Sequence, residues 1–206
     1  MLCGDIFMKE FIKEYINENI KIISVIFFSI IIGVVFGLFL YQIITPEIRT
    51  DLVNTMKSTL DLTKQENFEG INIIKNGMVS NIFLVIIIYL ISLTLISPYL
   101  TGLLSLFKGI SIGIYIPTLF QIFGASKGIL AIFLLVVIPN LVYIPSYIFL
   151  ATNSINFHYS LIGNENKFTL LIKEIIKIVI GFSIMFLGVV LEQLTSYWII
   201  SIYSTL

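Results

Sequence analysis

FKGISIGIYIPTLFQIFGASKGILAIFLLVVIPNLVYIPSYI, residues 107–148, decides how this chain folds. Two apolar runs, 103–123 and 129–151, flank the short polar turn 124–128, GASKG. At a rise of ~1.5 Å per residue each run makes a helix that crosses a hydrocarbon core of ~30 Å. A turn this short forces the two helices to lie side by side as a hairpin. The stretch holds three of the five prolines, Pro117, Pro139 and Pro145, and places Asn140 deep in an apolar run. Pro117 predicts a kink or two short halves, because proline removes a backbone donor and crowds the carbonyl four residues earlier. Asn140 is read first as a structural residue that satisfies a carbonyl freed by Pro139, and second as the lining of a solute path. Gly109, Ser111 and Gly113 form a small-residue face that lets another helix approach closely.

Composition carries the same message outward. The chain has 206 residues, of which 58% are hydrophobic and 12% charged. Its mean hydropathy is +1.04. Soluble domains rarely reach this apolar share, so the chain reads as a membrane protein. A net charge of zero gives no footprint for nucleic acid. One cysteine, Cys3, and one histidine, His158, exclude an internal disulfide and a two-histidine metal site. No cofactor or metal is expected. The first apolar run is too long for a cleavable signal and reads as a retained span.

The remaining spans are predicted near 22–44, 78–97 and 174–191. With the central pair they make an all-α, polytopic integral membrane bundle of about five transmembrane helices, one domain over 1–206. Residues 1–21 read as a cytoplasmic interfacial segment. Gly33 and Gly37 form a second pair of small residues four apart, in the first span. Pro98 marks the end of the second span or a kink. Residues 45–77 are an extracytoplasmic loop with an amphipathic helix, opened by Thr45 as N-cap and Pro46 as first helical residue. Its apolar positions Ile48, Leu52 and Met56 recur at helical spacing, with Asp51, Lys57 and Asp61 on other faces, which suits a lipid surface or a protein partner. Residues 152–173 read as a polar connector. Lysine and arginine set the orientation. Lys9, Lys13, Lys21, Lys108, Lys167, Lys173 and Lys177 flank the N-terminal side and Arg49, Lys57, Lys64, Lys75 and Lys127 the other, a bias towards N-terminus in and C-terminus out.

Two residues raise the question of chemistry. Gly109-Ile-Ser111-Ile-Gly113 matches the GxSxG nucleophile pattern, but that motif needs a strand–turn–helix and an acid–histidine pair. Glu192 interrupts the last apolar run. It is either a carboxylate reaching back to the interface or a buried acid that carries protons. No metalloprotease, P-loop or dinucleotide-binding pattern occurs, and no enzymatic activity is expected.

The chain resembles the stage II sporulation protein M (SpoIIM) family. The resemblance rests on Ile73-Ile-Lys-Asn76 with Asn81, Phe107-Lys-Gly109 with Ser111 and Gly113, and Lys127-Gly-Ile-Leu130. It extends through Ile138-Pro-Asn140, Ile144-Pro145 and Leu191-Glu192. One departure is the lack of a proline soon after Glu192. The resemblance implies a non-enzymatic scaffold in the mother-cell and septal membrane of a sporulating bacterium. Its implied partners are a SpoIIP-like amidase and a SpoIID-like lytic transglycosylase, which thin the septal wall and drive engulfment. The bilayer itself is a further partner, and glycine faces allow self-association. The alternative reading is a channel or transporter component for a small solute or protons.

Overall fold

The computed structural model describes residues 2–65, 70–163 and 167–204; the side chains of 2–9, 11, 12, 59–65, 70–77, 167 and 200–204 are not described. The described residues are helical apart from short turns. The helices are α1 (Leu2–Ile43), α2 (Pro46–Gln65), α3 (Gly70–Ser92), α4 (Ser97–Ile132), α5 (Ile138–Ile162) and α6 (Lys167–Ser204), with a π-helical turn, Phe133–Val137, between α4 and α5. Lys13–Ile43, Ser97–Ile162 and Phe168–Ile199 are long and apolar enough to cross a membrane, and Met78–Ser92 is a shorter apolar helix.

The long middle stretch is a hairpin. Within α4 only Gly124 leaves helical geometry, with φ 72° and ψ 176°. That conformation is essentially reserved for glycine, so the chain reverses on one residue. A methyl group on Gly128 would lie 3.2 Å from the Phe120 Cα, which shows the second limb folded back on the first. Helix resumes at Ala125, so the turn is narrower than the five residues expected. Pro117 lies within α4 without dividing it. The irregularity falls instead before Pro139, where the π turn absorbs the missing donor. Asn140 Nδ2 donates to the Val136 carbonyl at 2.8 Å, on its own helix.

Three expectations need correction. Residues 152–162 are not a connector but the last turns of α5, and Thr152, Asn153, Ser154 and His158 are buried there. Two of these polar side chains find partners on α3: Ser154 Oγ donates to the Ile88 carbonyl at 3.0 Å, and His158 Nδ1 lies 3.0 Å from the Ser92 carbonyl, while Asn153 Nδ2 donates to the Phe149 carbonyl of its own helix at 2.9 Å. Pro98 opens α4 rather than closing α3, which ends at Ser92. At a helix start its missing N–H costs nothing. Lys108 does not flank a span; it lies about 16 Å along α4 from Ser97.

Among the described residues two clusters form the core. The larger gathers Ile26, Ile30, Val85, Ile88, Tyr147, Leu150 and Met185 from α1, α3, α5 and α6. The second joins Leu119, Ala131, Leu135, Val136 and Ile199 at the α2 end. The outer surface remains apolar: Phe28, Phe39, Phe83, Leu90, Ile176 and Leu187 are each more than half exposed. Such a surface suits hydrocarbon, not water.

Candidate functional site

Glycine brings α1 and α4 into backbone contact. A Cβ on Gly33 would lie 2.2 Å from the Leu106 carbonyl oxygen and 2.9 Å from the Gly109 Cα. One on Gly113 would lie 2.3 Å from the Val34 oxygen and 2.9 Å from the Gly37 Cα. The two small-residue pairs therefore face each other, Gly33 on Gly109 and Gly37 on Gly113. Ser111 turns away from this seam; its hydroxyl is exposed and donates to the Phe107 carbonyl of its own helix. His158 is engaged with Ser92, so Ser111 has no acid–histidine pair here.

At the far end of α1, Tyr41 donates to Gln121 across the seam. Arg49, the single arginine, lies over the Tyr41 ring at 5.5 Å and donates through Nε to the Ile44 carbonyl at 3.1 Å. Its guanidinium also reaches the Gln42 carbonyl. It thus occupies acceptors left open where α1 ends. This latch starts α2 at a fixed angle. Val53 is buried, and Met56 packs against the second core cluster, beside Ile112 and Tyr115 of α4. Part of the apolar face of α2 is thereby covered by the chain itself. Asp51 and Lys57 remain exposed, Ile48 is half exposed and Leu52 partly buried. The Asp61 side chain lies outside the described residues.

Helix α6 packs along one seam. Leu170, Glu174, Ile178, Gly181, Met185, Gly188, Glu192, Thr195 and Ile199 recur at steps of four or three, which alternate from Glu174 onward, the spacing of a helix packed lengthwise on a neighbour. Both acids on this stripe meet a tyrosine. Near the start, Glu174 is 3% exposed and accepts from Tyr89 Oη at 2.9 Å and from Lys177 Nζ at 3.1 Å. Around it lie Tyr15 and Asn153, and Asn156 donates to Asn19 at 2.7 Å. About 27 Å further along α6, Glu192 accepts from Tyr143 Oη at 2.9 Å. Gly188 makes room for that ring: a Cβ there would lie 2.9 Å from two of its carbons. Lys108 Nζ sits 5.7 Å from the centre of the Tyr143 ring, with Asn81 also beside Tyr143.

Glu192 is therefore not a buried acid. Its residue is exposed at the edge of the bundle while its carboxylate is held by Tyr143 and faces Lys108. The sequence reading missed Glu174, Tyr89, Lys108 and Tyr143. The stripe of α6 carried the signal, since both glutamates fall on it. Among the described residues no group of three or more His, Cys, Asp or Glu side chains gathers.

The stage II sporulation protein M family model matches residues 10–192. No curated protein and no solved structure matches the chain. The matched stretch starts ahead of Tyr15 and closes on Glu192, so it contains the glycine seam and both tyrosine–glutamate pairs. With membrane-length apolar helices and this match over most of its length, the chain belongs to the stage II sporulation protein M family of sporulation-related membrane proteins.

Proposed function

We propose that this chain is a non-enzymatic membrane scaffold of the engulfment machinery, holding a SpoIIP-like amidase and a SpoIID-like lytic transglycosylase at the septal membrane. The family match carries this reading. The architecture supports it: α1 and α4 are locked backbone to backbone, which makes a stiff anchor. Helix α2 is pinned to that anchor by Arg49, Val53 and Met56 and presents Asp51 and Lys57 outward. In the N-terminus-in orientation this charged face lies on the wall side, where the hydrolases work. Ile48 and Leu52 border it and complete the partner surface.

The test is co-purification with the SpoIIP-like amidase after charge reversal of Asp51 and Lys57 together. Weakened recovery with unchanged membrane levels supports the surface. Unchanged recovery removes α2 as the docking element.

A second reading, a channel or transporter component, is favoured by one observation: Lys108, Tyr143 and Glu192 bring charged and polar groups together at the edge of the apolar bundle. Intramembrane ionisable groups commonly mark ion or proton paths. Vesicles holding the purified protein, alone and with its partners, would show proton or solute flux that Glu192→Gln abolishes. Tight vesicles would leave the cluster a structural role.

A further inference from the structure

We propose that the cleft between α1, α4 and α5 at the Glu174 end of the bundle is a binding site for one anionic phospholipid. The cleft has a volume of about 180 Å³ and is lined by Val25 and Ile26 of α1 and by Pro98 and Gly102 of α4, with Lys21 and Tyr159 among its walls. Its walls are mostly apolar, as an acyl chain requires. Gly102 keeps it open, since nothing lies within 4 Å of the place a Cβ would take.

The polar groups all sit towards one end. Lys21 lies between the charged first turns of α1 and the apolar run that begins at Ile22, so its ammonium falls at headgroup depth. Pro98 belongs to the first turn of α4, where it has no N–H and the Ser97, Tyr99 and Leu100 amides already donate to the Thr94 and Ile96 carbonyls, so the headgroup contact falls to Lys21. Tyr159, 55% exposed, is an aromatic residue at the same level. A cation at the rim of an apolar cleft between spans matches a lipid phosphate above an acyl chain, the chemistry of basic interhelical lipid pockets. Free phosphate fits the rim alone and leaves the apolar part unused.

Quantitative lipid analysis of the intact protein after detergent extraction tests this. The probes are phosphatidylglycerol and phosphatidylcholine, offered as mixed micelles. Wild type retains phosphatidylglycerol in preference to phosphatidylcholine. Lys21→Gln reduces that preference by about fivefold. Gly102→Leu, which fills the cleft, reduces retention of both lipids while elution and melting temperature hold. Lys127→Gln, at the other end of the bundle, changes nothing. Equal retention of the two lipids by wild type, or unchanged retention in both Lys21→Gln and Gly102→Leu, overturns the site and leaves only unspecific surrounding lipid. Dependence on Lys21 without dependence on Gly102 overturns it in favour of a simple anion contact. The test is independent of the scaffold reading, because it needs no sporulation partner.

Discussion

Replacing Gly33 or Gly109 with alanine should separate α1 from α4. Each new methyl would meet backbone, which cannot swing aside as a side chain can. At Gly33 it would stand 2.2 Å from the Leu106 oxygen, and at Gly109 2.1 Å from the Ile30 oxygen. Ordinary contact begins at 3.4 Å, so the helices must part locally by about 1.2 Å or more. That displacement loosens the neighbouring Gly37–Gly113 contact as well, because the helices are rigid over this length. Overpacking of this kind costs ~1–3 kcal/mol. Gly102→Ala is the matched control, on the same helix but with open space around it. It should be neutral or stabilising by up to ~1 kcal/mol, through helix propensity alone. The assay is thermal unfolding in detergent, followed by circular dichroism. Gly33→Ala and Gly109→Ala should melt below wild type and Gly102→Ala at or above it. The double variant Gly33→Ala/Gly109→Ala should cost less than the sum, since the first change already opens the seam. Melting of Gly33→Ala and Gly109→Ala at the temperature of Gly102→Ala would refute direct backbone packing.

Three other perturbations probe the remaining geometry. Glu174→Ala leaves the Tyr89 hydroxyl without its acceptor and should cost ~1–3 kcal/mol, with Glu174→Gln milder; chemical unfolding measures both. Tyr143→Phe removes the hydrogen bond to Glu192 and should destabilise by ~1–3 kcal/mol, whereas removing a surface hydroxyl such as that of Ser183 should have little effect. Gly124→Ala forces a methyl-bearing residue into a conformation that glycine alone adopts freely, and should lower stability by ~1–3 kcal/mol. Its effect is measured against Ala125→Gly, which lies just past the turn.

The helical class, the central hairpin and the placement of α2 after the first span were legible because each rests on apolar run length and helical spacing. Gly33, Gly37, Gly109 and Gly113 were legible as small faces, but nothing in their spacing says which face meets which. That pairing depends on how the hairpin docks on α1. The polar end of α5 was misread because Asn153, Ser154 and His158 look like residues seeking water. In the bundle, Ser154 and His158 instead meet carbonyl oxygens of α3 at Ile88 and Ser92. Lys108 was counted as a flanking charge because it stands near the start of an apolar run. The preceding turns of α4 are apolar enough to place it inside, and its cation rests on an aromatic face contributed by a residue 35 positions later. Glu174 and Glu192 belong to one stripe, yet a stripe does not reveal the tyrosines that another helix brings.

The most direct test of the scaffold account is fluorescence imaging of tagged SpoIIP-like and SpoIID-like hydrolases in sporulating host cells that lack this chain, with a membrane dye in the same cells. The account predicts that both hydrolases disperse from the septum and that the septal membrane fails to migrate around the forespore. Hydrolases that stay in place in cells completing engulfment would contradict it.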